Sequence, residues 1–218
     1  MEKAIGVFDS GLGGLTAVKE LSALMPNENI IYLGDTARVP YGSRSPETLV
    51  RFAKEDLAFV LRQNVKAVLV ACGTISSVAL PVLKETCPVF VEGVVGPAAR
   101  SAASKTKNGK VAVIATSATV NSSVILGCTH YPILRPLIED FLGPDVTLID
   151  SGKEAAKVIC KKIGEENIGA DKNNVGNHTY YVTDEPSGFV SLAELFLDKK
   201  IKDEVRKATL DEMLKQNV

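Results

Sequence analysis

The chain lacks a strong charge of either sign. Its 218 residues carry 25 Lys and Arg against 26 Asp and Glu, a formal net charge of −1 and a pI of ≈ 6.2. That balance excludes the basic footprint of a nucleic-acid or anionic-membrane binder, so neither partner is expected. No apolar run approaches the roughly 18 residues of a membrane span. The first residues, MEKAIGVFDS, lack the basic region, long apolar stretch and cleavage site of a secretion signal, and a cytoplasmic location is the expectation. Cysteine is scarce: Cys72, Cys87, Cys128 and Cys160, with no C-x-x-C pair. The usual support for a structural zinc site is therefore missing, and no metal is expected. A disulfide framework does not suit a chain of this size without a secretion signal, so the thiols are read as free. Cys87 and Cys160 read as packing residues, Cys160 at a helical apolar spacing in AAKVICKKI.

What is present is an ordinary globular composition, 45% hydrophobic and 23% charged, long enough to bury several strands in one or two domains. Short apolar runs punctuate it: AIGVFD (4–9), NIIYLGD (29–35), KAVLVAC (66–72), VFVEG (89–93), VAVIAT (111–116), VILGCT (124–129) and VTLIDS (146–151). Helical patterns stand between them, in LTAVKELSALM, in the segment opening at Ser45-Pro46-Glu47, and in SSVALPVLKE and GPAARSAAS. KEAAKVICKKIGEE and SLAELFLDKKI continue the pattern, with TYYVTD as a further strand between them. Proline early in a first turn with an acid beside it is a helix-start signature. Such alternation means βαβ units and parallel sheets, an α/β fold. The runs are continuously apolar, as strands covered by helices on both faces must be.

In such sheets ligands bind beyond the carboxyl ends of the strands. Those ends hold Asp9 and Ser10, Asp35 and Thr36, Cys72 and Thr74, Glu92, Thr116, Cys128, Thr129 and His130, and Asp150 and Ser151. Each acid could simply cap the next helix; their gathering at one edge points to a site. DSGLGG is an incomplete dinucleotide fingerprint, because the third glycine position is Thr16, and no G-K-[ST] follows. It reads either as a tight turn with Asp9 and Ser10 capping a helix or as backbone donors holding a small ligand. ARVPYGSRS reads as a surface turn or as a rigid loop in which the amide at Tyr41-Gly42 approaches a ligand.

Cys72 and Cys128 each follow an apolar run and precede a helix pattern. A helix N-terminus lowers a thiol pKa and favours the thiolate. Two such groups facing one another across a small ligand could remove a proton from one face and deliver one to the other, inverting a stereocentre without a cofactor. The rival is a single cysteine nucleophile with His130 as its base, an amidase-type arrangement, since Cys128 and His130 are two apart and could share a face.

The motifs DSG, DTARVPYG and GCTHYP, with VACGT, VEGVVGPA, VAVIATSATVNS, VILGCTHYPILRPLIEDFLG, VTLIDSG and TYYVTDEPSGFVSLAELFL, cover nearly the whole chain. In these stretches and their order the sequence resembles the glutamate racemases, cofactor-independent enzymes that supply D-glutamate for peptidoglycan. The resemblance implies two parallel-sheet βαβ lobes facing a central cleft. The first lobe would take residues 1–96 and 151–218, and the second residues 97–150. It makes Cys72 and Cys128 the proton-transfer residues, with Asp9 and His130 as supporting acid–base groups. Asp9, Ser10, Tyr41, Gly42, Gly73, Thr74, Thr129 and His130 then fall at substrate-holding positions, the substrate being glutamate, with no cofactor and no metal. The family often dimerises, so a homodimer belongs to the expectation.

Two departures qualify it. Where the family normally has asparagine after the first cysteine, this chain has Gly73. Losing one hydrogen bond to a charged ligand costs about 1.5–3 kcal/mol, so weaker activity is expected. Between VAVIAT and VILGCT lies only SATVNSS. A parallel crossover needs about a dozen or more residues, and the family carries a segment of several dozen here. The second lobe is accordingly expected to be truncated. A racemase relative that only binds glutamate, as a regulatory protein, is the alternative of a different class.

Overall fold

The computed structural model describes residues 2–107, 111, 130–142, 147–202 and 204–214. The chain opens with β1 (Ala4–Asp9), α1 (Leu15–Leu24), β2 (Ile30–Gly34), α2 (Pro46–Leu61) and β3 (Val65–Val70). It continues through α3 (Gly73–Val78), α4 (Leu80–Thr86), β4 (Phe90–Gly93) and α5 (Val95–Lys105). A 3₁₀ turn (Tyr131–Leu134) then leads into α6 (Arg135–Leu142) and α7 (Ser151–Glu165), followed by β5 (His178–Val182), α8 (Pro186–Leu197), β6 (Val205–Lys207) and α9 (Leu210–Leu214).

The strands form one six-stranded sheet in the order β4-β3-β1-β2-β5-β6, every pairing parallel. The α/β parallel-sheet expectation holds. Side chains alternate across each strand. Ile5, Val7, Ala67 and Leu69 face α1, α7 and α8 through Leu15, Val18, Leu21, Ala156, Ile159, Phe189 and Leu197. Phe8, Val68 and Val70 face α2, α3 and α4 through Leu49, Phe52, Leu57, Ile75 and Leu83. Both faces are covered, which is why the strands read as unbroken apolar runs. Fully burying a side chain of this size contributes about 1.5–3 kcal/mol. On the first face α1 and α7 meet closely: a Cβ at Gly152 would lie 3.1 Å from Ala17 Cα.

Several starts follow their local chemistry. Ser45 accepts the Thr48 N–H at 3.3 Å, Pro46 opens α2 and Glu47 sits in its first turn. Asp150 accepts the Lys153 N–H at 3.0 Å and starts α7. Other expectations need correction. SSVALPVLKE is not one helix; it breaks at Ala79, because Pro81 has no N–H to continue the ladder of α3 and fits the first turn of α4 instead. VTLIDS is not a strand over its described part. Residues 147–150 have no regular structure, Ile149 packs on Ala98 and Ala102, and Asp150 serves as the cap of α7. No described strand lies beside it to pair with. The short edge strand β6 was not anticipated. Residues 112–116 of VAVIAT, all of VILGCT, and with them Thr116, Cys128 and Thr129, lie outside the described residues.

The order of strands fixes where a ligand can sit. After β1 the chain crosses on the α1 face toward β2; after β3 it crosses on the opposite face, through α3 and α4, toward β4. Neighbouring strands whose connections leave on opposite faces open a crevice beyond their carboxyl ends. Here that crevice lies between Asp9-Ser10 and Cys72-Gly73. Among the described residues no helix is long and apolar enough to cross a membrane.

Candidate active site

Asp9 ends β1 and is 1% exposed. Its Oδ2 accepts the Gly11 N–H at 3.0 Å, while Oδ1 is buried with no hydrogen-bond partner among the described residues. Burial pushes the carboxyl pKa above its usual range, and the Gly14, Gly11 and Ser10 amides and the His130 charge pull the other way. Within DSGLGG, Gly14 answers to close approach. A Cβ at Gly14 would meet Asp9 Cβ at 2.6 Å and Ala71 Cβ at 2.9 Å. Neither Asp9 nor Ser10 caps α1, which starts after Gly14 with no side-chain cap.

The loop after β1 is held from β2. The Tyr32 hydroxyl donates to the Gly11 carbonyl at 2.7 Å, and a Cβ at Gly34 would lie 2.5 Å from that same oxygen. Tyr32 is fully buried against Tyr180 and Phe189. Burial first, then the charges of Asp9 and Cys72, push its phenol well above the usual value. Sequence reasoning missed Tyr32, which reads as one more apolar strand residue.

Cys72 sits just before α3, 4% exposed, and its thiol reaches Ser10 Oγ at 3.5 Å. The expected depressed thiol pKa is wrong. Burial, then the negative charge of Asp9, push it up to about 11, outweighing the Ile75 amide and the Ser10 contacts. A single helix turn of amides does not offset removal from water beside an acid. Gly73 and Thr74 form the buried first turn of α3. Two residues further on, Ser76 donates to the Val70 carbonyl at 3.0 Å and accepts the Val94 N–H at 3.1 Å, tying β3 to the start of α5.

His130 is exposed, with its ring 5.7 Å from the Phe196 ring in an edge-on arrangement. Its charge acts on Asp9, so the two belong to one electrostatic neighbourhood. Asp9, Ser10, Cys72, Gly73 and Thr74 therefore gather at the carboxyl edge of β1 and β3, with the His130 charge acting on Asp9. Glu92, also at a strand end, is occupied elsewhere: it accepts the Gly93 N–H at 2.9 Å and pairs with Lys84 at 3.1 Å.

The Tyr41-Gly42 loop follows β2. Tyr41 is 2% exposed, and its hydroxyl donates to Asp35 while lying 3.2 Å from Asp56 Oδ2. The phenol thus faces a carboxylate cluster, leaving the backbone at Gly42 as the part that can meet a ligand. The loop touches the Ser10-Gly11 turn: a Cβ at Gly11 would lie 3.5 Å from Val39 Cγ1, and the Asp35 N–H donates to the Asp9 carbonyl at 2.9 Å. Arg38 and Asp56, both in this cluster, were also missed. The sign available for Asp56 was its place on the buried face of α2, among Phe52, Ala53 and Val60.

No family model matches the chain. Comparison with curated proteins finds the glutamate racemase of Geobacter metallireducens 35% identical, covering 92% of this chain and 95% of that protein. The alignment spans 256 residues, longer than the 218 of the chain itself, so the relative holds residues with no counterpart here. Among solved structures, a glutamate racemase isoform of Bacillus anthracis superposes with a TM-score of 0.89 at 32% identity, covering 95% of this chain and 98% of that one. The glutamate racemase of Francisella tularensis in complex with D-glutamate gives a TM-score of 0.86 at 32% identity, covering 96% and 98%.

Proposed function

The chain belongs to the glutamate racemase family and is an amino-acid racemase, and we propose that it interconverts L- and D-glutamate by proton transfer between two thiols, Cys72 and Cys128. The observation that carries the reading is the Cys72 thiol, buried beside Asp9 and 3.5 Å from Ser10 Oγ in the crevice between β1 and β3. With its pKa near 11 the thiol rests protonated, which suits delivery of a proton to the α-carbon. To act as base it must lose that proton. A substrate ammonium beside it would favour the thiolate by opposite charge. Asp9 Oδ1, a buried acceptor with no partner among the described residues, is placed to receive a donor that a ligand brings. Cys128, on the far face of the substrate in this scheme, exchanges roles with Cys72 in the reverse direction.

The remaining roles complete the proposal. His130 supports the acid–base chemistry with Asp9. Ser10, the Gly42 amide, Gly73, Thr74 and Thr129 hold the carboxylates and amine. The domain division, 1–96 with 151–218 against a shortened 97–150, is supported by the sheet, whose strands all come from the first set. The D-glutamate formed would feed peptidoglycan synthesis, the general role of the family; a cytoplasmic, homodimeric enzyme belongs to the same reading. The amidase and binding-protein readings find no counterpart among the relatives named above.

The test is circular dichroism of purified protein with each enantiomer separately. Both solutions should converge on zero signal, without added cofactor. Persistence of each enantiomer in the presence of folded protein overturns the reading.

A further inference from the structure

We propose that Asp35, Arg38, Tyr41 and Asp56 form a positioning device that fixes the Gly42 amide for the substrate; the proposal rests on the reading that this amide binds glutamate. Arg38 Nε reaches Asp35 Oδ2 at 2.6 Å, its Nη2 reaches Asp56 Oδ1 at 2.9 Å, and its Nη1 pairs with Glu55. Its guanidinium lies 4.2 Å from the centre of the Phe52 ring. Thr183, just past β5, donates to Asp35 Oδ1 at 2.9 Å and accepts the Ala37 N–H at 2.8 Å. One guanidinium, one phenol and one hydroxyl thus lock the segment from Asp35 to Tyr41 onto α2 and β5.

Proton counting says how the lock closes. A phenol has one proton, and Tyr41 gives its proton to Asp35. Asp56 Oδ2, 3.2 Å from the hydroxyl, is a second and more distant acceptor of the same proton. The two acids are also crowded in charge. Asp35 and Asp56 are 0% exposed and share Arg38 with Glu55, whose second cation among the described residues is the exposed Arg51, 3.5 Å away. Burial and the charge of Asp35 push Asp56 well above the ordinary carboxylate range.

Stability does not account for such a cluster. Buried ionic groups can often be replaced by apolar residues of similar volume with no loss, or with a gain. What a fully bonded polar network adds is one defined geometry. Here that geometry is passed to two places: the Asp9 carbonyl, through the Asp35 amide at 2.9 Å, and the loop tip at Gly42. An error of about 1 Å in a binding group is enough to change rates a hundredfold.

The experiment measures KM and kcat for both glutamate enantiomers, with thermal unfolding as a check of folding. Tyr41→Phe keeps the ring against Phe52 and removes only the hydroxyl. It should raise KM roughly tenfold with kcat changed by less than about twofold. Asp56→Ala should raise KM at least as much, and Asp56→Asn, neutral and still hydrogen bonding, should recover most of the loss. If Asp56→Ala fails to fold, Tyr41→Phe carries the test alone. Gly42→Pro removes the amide proton itself. An unchanged KM in folded Tyr41→Phe, together with a raised KM in Gly42→Pro, overturns the positioning role and leaves the binding role standing. An unchanged KM in Gly42→Pro overturns both, because the amide then holds no substrate.

Discussion

Cys72→Ser should abolish interconversion of the glutamate enantiomers, lowering kcat by about a thousandfold or more. Serine keeps the shape of the side chain and can keep the contact with Ser10, so the variant should fold with an unchanged melting temperature. What it loses is proton affinity in a usable range. General acid–base catalysis by a positioned group is worth about 10²–10⁴ in rate, and a hydroxyl is a far weaker acid than the thiol it replaces. The loss should also be one-sided. With Cys128 intact, one enantiomer should still exchange its α-proton with solvent, whereas the other should not. Steady-state circular dichroism combined with proton NMR of the α-position separates the two effects. Full interconversion by Cys72→Ser would contradict the assignment of Cys72.

Gly14→Ala should be the most damaging small substitution in the binding loop. Its new methyl group would stand 2.6 Å from Asp9 Cβ and 2.9 Å from Ala71 Cβ, far inside contact distance. Both neighbours belong to or adjoin the central strands β1 and β3, which cannot give way cheaply. Overpacking of this kind costs about 1–3 kcal/mol of stability. A forced shift of Asp9 should lower kcat by about a hundredfold. Gly164→Ala in α7 is the matched control, because nothing lies within 4 Å of a Cβ there. It should raise stability by about 0.5–1 kcal/mol, the helix preference for alanine over glycine, and leave activity alone. Thermal melts and kcat for the pair give opposite signs if the close approach at Gly14 is real.

These predictions show which parts of the molecule could be read from the chain. The strands β1 to β4 were legible because burial on both faces leaves an unbroken apolar run, and such runs end where the sheet ends. α2 was legible because Ser45, Pro46 and Glu47 fix its start locally. VTLIDS misled for the same reason: its composition is that of a strand, but among the described residues no strand lies beside it, and its residues end in the cap of α7. β6 escaped because VRK at a sheet edge is too short and too polar to announce itself.

The site divides along the same line. Asp9, Cys72 and the Gly42 loop sit at strand ends, where the fold type alone directs attention. The environment of Cys72 did not follow from its position before a helix. Its raised pKa comes from burial and from Asp9, sixty-three residues away in the chain but on the neighbouring strand. Tyr32 and Asp56 look like ordinary members of a strand and a helix. Their partners, Gly11 and Tyr41, become neighbours only when the sheet assembles.

The central claim is that one thiol removes the α-proton and a different one, in exchange with solvent, supplies its replacement. The most direct measurement is L-glutamate in deuterated water, stopped within the first few per cent of conversion, with the two enantiomers separated and their α-positions assayed by mass spectrometry. The D-glutamate formed should carry deuterium in full, while the remaining L-glutamate keeps its protium. D-glutamate that retains the original proton would mean a single group carrying it from one face to the other, and would contradict the two-thiol account.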